Sequence, residues 1–493
     1  MDMILDKSEM NCRRLIWSGT VRKEEMAESV VPDTYPDAEC VADVCTQVFI
    51  RGKEASAGKV TVDAAALCTV LYTASGTGEL CRMEMELPFS LQAEVPDAGE
   101  DTDIVAELTL CDAEARLLNP RKILTRAELS ARISCYVPGT VALSVSMAEK
   151  SGLQLLRKSC TAAPVTDVRE KTFVLSDELN MPPSPEGYSR ILCQDAALST
   201  EDVRFVGSKL IFKGEVLVRV LAEPNGGASP VFFSSSSSFS QIIELSCEAE
   251  DAEVSLGLTG LFLSLGESEG GKPCVAAEIH VLAQAVARVE REVEYIADAY
   301  SNKSACRTGF ETVELPGRGQ RICMRDTWRC ELRTEETAAS VICAGARCTE
   351  WRIAEQAVTA RIAVRCMYLT ADGKAHGAVC SGEMRIEGEI PENAECLFVR
   401  CGEVYAVPAA GGIDIRVPLE AGIGVRGGCE LRLLSSLELD EEADRPERAS
   451  LYIIPAAEDA DLWQLAKRYG STVEHIKMAN PEWGSVLLVP SER

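Results

Sequence analysis

Apolar and polar residues alternate along most of this chain with a period of two, the pattern of strands that bury one face. KVTVDAAALCTVLY (59–72), KLIFKGEVLVRVLA (209–222) and QAVTARIAVRCMY (356–368) show it most clearly. They recur at intervals of roughly 150 residues, the mark of an internal repeat. A turn-rich insert follows each one, TASGTGE, EPNGGAS or TADGKAH, and then a further strand-like run, MELPFSLQAEVP, SSSFSQIIELS or GEMRIEGEIP. A block of paired strands around a turn comes next, at 102–133, 251–286 and 393–425. The serine run 234–238 reads as an edge strand or loop, and GIGVRG (422–427) as a turn.

This pattern predicts a mainly β chain of three repeated β-sandwich-like modules. Breaks fall at NMPPSPEGYS (180–189), GFETVELPGRGQ (309–320) and DEEADRPER (440–448). The expected divisions are an N-terminal extension over 1–29, modules over 30–160, 165–300 and 305–440, the last the most divergent, and a small unit over 449–491.

The small unit departs from the strand pattern. DLWQLAKRYGSTVEHIKMANP (461–481) carries two helix starts of capping-box form, Asp461 with Gln464 and Ser471 with Glu474. Leu462, Leu465, Ala466 and Tyr469 make one apolar stripe, and Val473, Ile476 and Ala479 a narrower one. Gly470 separates the helices, Asn480-Pro481 ends them, and the apolar runs 451–454 and 486–489 flank them, which predicts a βααβ unit.

The strand, DLWQLAKRYGSTVEHIKMANP and VLLVP together resemble a LysM domain over 449–491. Such domains bind N-acetylglucosamine polymers, mainly peptidoglycan, between the loop before the first helix and the loop after the second. The resemblance therefore implies a binding face at Asp459, Asp461, Asn480, Glu482 and Trp483. Both loops depart from the family pattern: Glu458, Asp459, Ala460 and Asp461 stand where Pro-Gly-Asp-Thr is usual, so the turn glycine and the Asp after it are missing, and the second loop is short. Trp483 reads either as a ring that stacks on sugar or as a cover for the small core. PDTYPDAECVADVCTQVFIRGKEASAGKVTVDAAALCTVLY with MELPFS resembles the SPOCS domain of spore-coat proteins, and REKTFVLSDELNMPP resembles the segment that joins consecutive SPOCS units. An array of such units ending in a LysM domain implies a spore-coat morphogenetic protein: a scaffold made in the mother-cell cytoplasm, docked at the forespore surface through its LysM-like end to the ATPase of the coat basement layer. The alternative is a protein that binds peptidoglycan of the cell wall or cortex.

Composition narrows this further. A net charge of −27 argues against nucleic acid as a partner, since phosphate-binding surfaces need clustered Lys and Arg. No run approaches the roughly 18 apolar residues of a membrane span, so no membrane insertion is expected. The first twenty residues contain acids and lack the apolar core of an export signal, so a cytosolic setting with reduced thiols is expected for the 21 cysteines. Cross-linking would then require release into an oxidising setting. Cysteines five apart, as in Cys40 and Cys45, Cys343 and Cys348, or Cys396 and Cys401, face opposite sides of a strand, which argues against a metal site. Only three histidines exist, His280, His376 and His475, and none lies in a nucleophile pattern, so neither catalysis nor a cofactor is expected.

Overall fold

Residues 2–227, 229–268, 270–317, 319–425, 427–440, 449–456, 461–482 and 484–491 are described by the computed structural model. Strands dominate them. β1 (Asp2–Met3) and β2 (Leu5–Val30) are followed by a meander of β3 (Ala38–Ser56), β4 (Lys59–Ala74) and β5 (Leu80–Glu94), then by a hairpin of β6 (Asp103–Asn119) and β7 (Lys122–Met147). The meander forms one antiparallel sheet, and β7, between β6 and β2, forms another. Along β4, Val60, Val62, Ala64, Ala66, Cys68, Val70 and Tyr72 all point inward and are buried against Ala106, Leu129 and Ile133 of the facing sheet. The apolar half of the alternation is the inner face of this first sandwich.

A second pair of sheets comes from β9 (Val165–Asn180), β10 (Tyr188–Val206), β11 (Lys209–Pro224), β12 (Val231–Glu244), β13 (Asp251–Glu267) and β14 (Pro273–Arg288), preceded by β8 (Leu153–Ala162). The orders are β10-β11-β12 and β13-β14-β9, and the serine run lies on β12, at the sheet edge. After β15 (Arg291–Ser301) and β16 (Ala305–Pro316), a third pair is built from β17 (Gln320–Arg333), β18 (Ser340–Ala354), β19 (Ala357–Leu369), β20 (Ala375–Glu387), β21 (Ala394–Cys401), β22 (Tyr405–Ala409) and β23 (Gly412–Val425). Here the orders are β18-β19-β20 and β17-β23-β21, with β22 also on β23.

The sandwiches meet through a buried apolar cluster, in which Leu71 and Leu80 of the first pack with Leu192 and Leu221 of the second and Met367 of the third, and through polar contacts. Arg365 of β19 donates to Asp43 Oδ2 at 2.8 Å and to the Val44 carbonyl at 2.7 Å, joining the third sandwich to the first. Beside this pair Gly377 approaches the backbone of β3 so closely that a Cβ would lie 2.0 Å from the Ala42 carbonyl oxygen, so no other residue fits there. Between the first and second sandwiches, Gln284 bonds the backbone N–H and C=O of Ala106 at 2.9 and 2.8 Å. Lys53 donates to the Ile104 carbonyl, Glu170 and Gln284. Burial lowers the Lys53 ammonium below the usual lysine value, against the pull of Glu170.

A fourth assembly, here called the hub, was not visible in the sequence. It gathers the first half of β2, the second half of β7, β8, β15, β16, β1 and β24 (Gly428–Asp440) around Met10, Leu143, Tyr295, Leu315, Leu431 and Leu433, continued by Met147, Ile296, Leu434 and Leu437. Several sequence readings change accordingly. NMPPSPEGYS (180–189) does not divide two modules, because it joins β9 to β10 within the second sandwich, and the ends of the first two expected modules, from the second half of β7 through β8 and at β15, belong to the hub. Residues 1–29 are not a separate extension, because β2 pairs along the whole of β7 from Leu5 opposite Met147 to Val30 opposite Lys122. Residues 305–316 and 428–440 leave the third sandwich, since β16 and β24 pair with each other; GFETVELP is therefore strand rather than linker. Gly422 and Gly424 lie within β23, under the side chains of Phe398 and Leu397, and not in a turn. Of the charged tether, residues 441–448 lie outside the described residues.

The chain closes with β25 (Leu451–Pro455), α1 (Leu462–Tyr469), α2 (Val473–Ala479) and β26 (Val486–Pro490), the two strands being paired antiparallel.

Candidate functional site

The C-terminal unit is assembled from short polar side chains and a small apolar center. Asp461 caps α1, its Oδ1 accepting from the backbone N–H of Trp463 at 2.9 Å and of Gln464 at 3.2 Å. Gly470 ends α1 in the left-handed conformation, at φ 68°. Thr472, not Ser471, caps α2, its hydroxyl accepting from the His475 N–H at 3.1 Å. Asn480 clamps the end of α2 to β26: its amide donates to the carbonyls of Ile476 and Leu488, and its oxygen accepts from the Leu488 N–H at 2.8 Å. Ala466, Ile476, Leu487 and Val489 are buried, with Leu462, Trp463 and Leu465 packed around them.

The same core includes Tyr300 of β15, so the unit is seated on the hub. The Trp463 indole N–H donates to Asp298 Oδ2 at 2.8 Å, and Lys467 Nζ to Asp298 Oδ1 at 2.7 Å. The Tyr300 hydroxyl donates to the Ser471 carbonyl at 2.9 Å, and its ring meets that of Trp463 edge-on at 4.8 Å between centroids. Asp298 is a buried carboxylate with a cation and an indole donor, the condition under which a buried charge is tolerated.

These contacts sort the residues expected to form the binding face. Asp461 and Asn480 are committed to holding the unit's own backbone, whereas Glu482 is exposed just beyond α2. Asp459 and Trp483 lie outside the described residues. The seat residues Asp298 and Tyr300 went unread in the sequence, although an acid inside the otherwise apolar YIADAY (295–300) was a signal that a partner had to exist for it. Exposed on the unit are Glu482, Met478 of α2, and Leu451, Ile453 and Val486 on one face of the β25–β26 pair.

A second gathering of chemical groups lies where the three meanders meet. Cys45, Cys193 and Cys343 line a cavity of about 30 Å3 with the ion pairs Asp43–Arg365 and Asp195–Arg219. That is room for water rather than for an organic substrate. Burial pushes the Cys343 thiol well above the ordinary value, which suits it to packing. Among the described residues no group of three or more His, Cys, Asp or Glu could hold a metal ion. His280, His376 and His475 sit apart on β14, β20 and α2.

Over residues 37–118 the chain matches the family model described as SipL, SPOCS domain. The match covers β3 to β5 and nearly all of β6, and so lies in the first sandwich rather than at the C-terminal unit. It associates this part of the chain with a domain of sporulation proteins. No curated protein and no solved structure matches the chain. No helix among the described residues is long and apolar enough to cross a membrane.

Proposed function

We propose that this protein is a non-enzymatic scaffold of spore-coat assembly, made of three SPOCS-like modules and a LysM-like unit that docks it to a protein partner at the forespore surface. The SPOCS match over 37–118 carries the reading. The common plan of the three sandwiches supports its extension to the other two: each has a three-stranded meander facing a sheet whose center is the second strand of a hairpin, β7, β14 or β23. The C-terminal unit supports a protein partner over a glycan. Asp461 and Asn480, which would otherwise be free to bond sugar hydroxyls, are occupied by backbone, and α1 is turned into the hub. A protein can use the exposed apolar residues of β25 and β26 and Glu482. The proposed partner is the ATPase of the coat basement layer, met from the mother-cell cytoplasm.

Purified full-length chain should capture that ATPase, and removal of 449–493 should abolish capture while circular dichroism still reports folded sheets. Glu482→Lys should weaken capture roughly tenfold, as expected of a charge at an interface rim or beyond. Retention of the full-length chain on purified peptidoglycan, lost in Glu482→Lys, together with unchanged capture of the ATPase, would replace this reading by peptidoglycan binding.

A further inference from the structure

Thiol chemistry that the proposed function leaves unused is concentrated in close pairs. All 21 cysteines are unbonded, yet Cys429 Sγ lies 3.3 Å from Cys160 Sγ in the hub, and Cys330 Sγ lies 3.6 Å from Cys380 Sγ in the third sandwich. The hub pair is distinguished by what it would join. Cys160 stands on β8 opposite Val293 of β15, and Cys429 on β24 opposite Leu315 of β16, so the two belong to different ladders. They touch within the apolar cluster of Leu143, Tyr295 and Leu431. The residues are 269 apart in the chain, and the whole of the second and third sandwiches lies between them.

We infer that Cys160 and Cys429 are an oxidisable pair, which a small-molecule disulfide such as oxidised glutathione converts into an intramolecular disulfide closing the hub. One cysteine thiolate attacks a sulfur of the oxidant, forms a mixed disulfide and expels a small thiolate. The other cysteine then attacks the protein sulfur of that mixed disulfide and expels the second small thiolate. Two protein thiols thus give up two protons and two electrons, and one small disulfide becomes two thiols. A disulfide bond is about 2.05 Å long, so the sulfurs have to approach by about 1.3 Å from their 3.3 Å contact. Burial, with Cys429 adding to it, pushes the Cys160 thiol up to about 11, so the exchange is slow at neutral pH and quickens as the pH rises. The bond would hold β8 against β24 where, besides side-chain packing, the Ala163 N–H already donates to the Pro316 carbonyl of β16 at 2.6 Å.

The test incubates the native full-length chain with oxidised glutathione at pH 7 and pH 9, blocks the remaining thiols, and maps unreduced tryptic peptides by mass spectrometry. The expected result is a peptide containing Cys160 linked to one containing Cys429, formed faster at pH 9, with a rise of several degrees in the unfolding temperature that reductant reverses. Cys330→Ser should leave that link intact. Cys160→Ala, which keeps the site small and apolar, should fold under reducing conditions and remove both the link and the temperature rise. Cys160 and Cys429 recovered unlinked from the native protein, whether as thiols or as glutathione adducts, would overturn the inference, as would a link that forms only after unfolding.

Discussion

In the first sandwich β4 pairs with the strands immediately before and after it, Val60 opposite Ala55 and again opposite Ala93. In the hub, by contrast, Met3 meets Leu437, Leu5 meets Met147, Arg291 meets Ala162 and Cys306 meets Leu439. Both regions are apolar-faced strands, but the meander of β3, β4 and β5 is closed by turns of a few residues and the hub by pairings across much of the chain. Local pairing leaves turn chemistry and a repeated rhythm in the sequence; remote pairing leaves only the alternation. The hub is accordingly held by pairings between distant segments of the chain, and the C-terminal unit is seated on it.

The largest effect should come from the hub core. Leu433 is fully buried there, and Leu433→Ala should cost about 2–5 kcal/mol in urea unfolding. If the two regions are distinct, hydrogen exchange should accelerate in 139–147 and 431–437 while 358–368 of the third sandwich stays protected. Equal loss in both would show that the body unfolds as one unit and would erase the distinction.

A smaller effect should separate the hub from its rider. Asp298→Ala removes the acceptor of the Trp463 indole and the Lys467 ammonium, and should weaken the seating of the unit by about 1–3 kcal/mol. Faster exchange in 462–479 with unchanged exchange in β4 and β11 is the expected pattern. No change in 462–479 would mean that the apolar contacts of Tyr300 suffice to hold the unit.

The smallest effect is one of pH, within the second sandwich. Asp167 is buried, which by itself would raise its carboxyl, but the Ser246 N–H and hydroxyl and the neighbouring Arg169 outweigh burial and hold it below the usual carboxylate value. A lowered folded value stabilises the fold above the ordinary aspartate range near pH 4, and the benefit disappears as pH falls through the lowered value. Unfolding of Asp167→Asn should therefore be less acid-sensitive than that of the parent between about pH 5 and pH 2. Identical acid profiles would mean that other carboxylates govern this range.

The sandwiches were legible because a buried strand with a polar outer face writes its orientation into every second residue, as Val60 to Tyr72 do. The two C-terminal helices were legible from their caps. Which hydroxyl caps α2 was not, since Ser471 and Thr472 are adjacent and chemically alike; the Tyr300 hydroxyl bonds the Ser471 carbonyl and Thr472 begins the helix. Asp461 and Asn480 were read as a binding face because short polar side chains in loops serve ligands and backbone alike, and here backbone has them. The hub left no local signature: REVEYIADAYS and GFETVELP look like strand or linker until their partners are known.

The pairing of β2 with β7 runs through both kinds of region without interruption. Each strand is 26 residues long, a two-stranded ribbon of about 85 Å. A register shift between Leu15 and Trp17, at the last residues of β7 paired with β6, and the proline at 138 just beyond them, opposite Arg13, mark where the ribbon passes from sandwich to hub. The hub, with its seated unit, and the first sandwich thus share two continuous strands, so a slip of β2 on β7 by one residue would turn apolar faces outward in both at once.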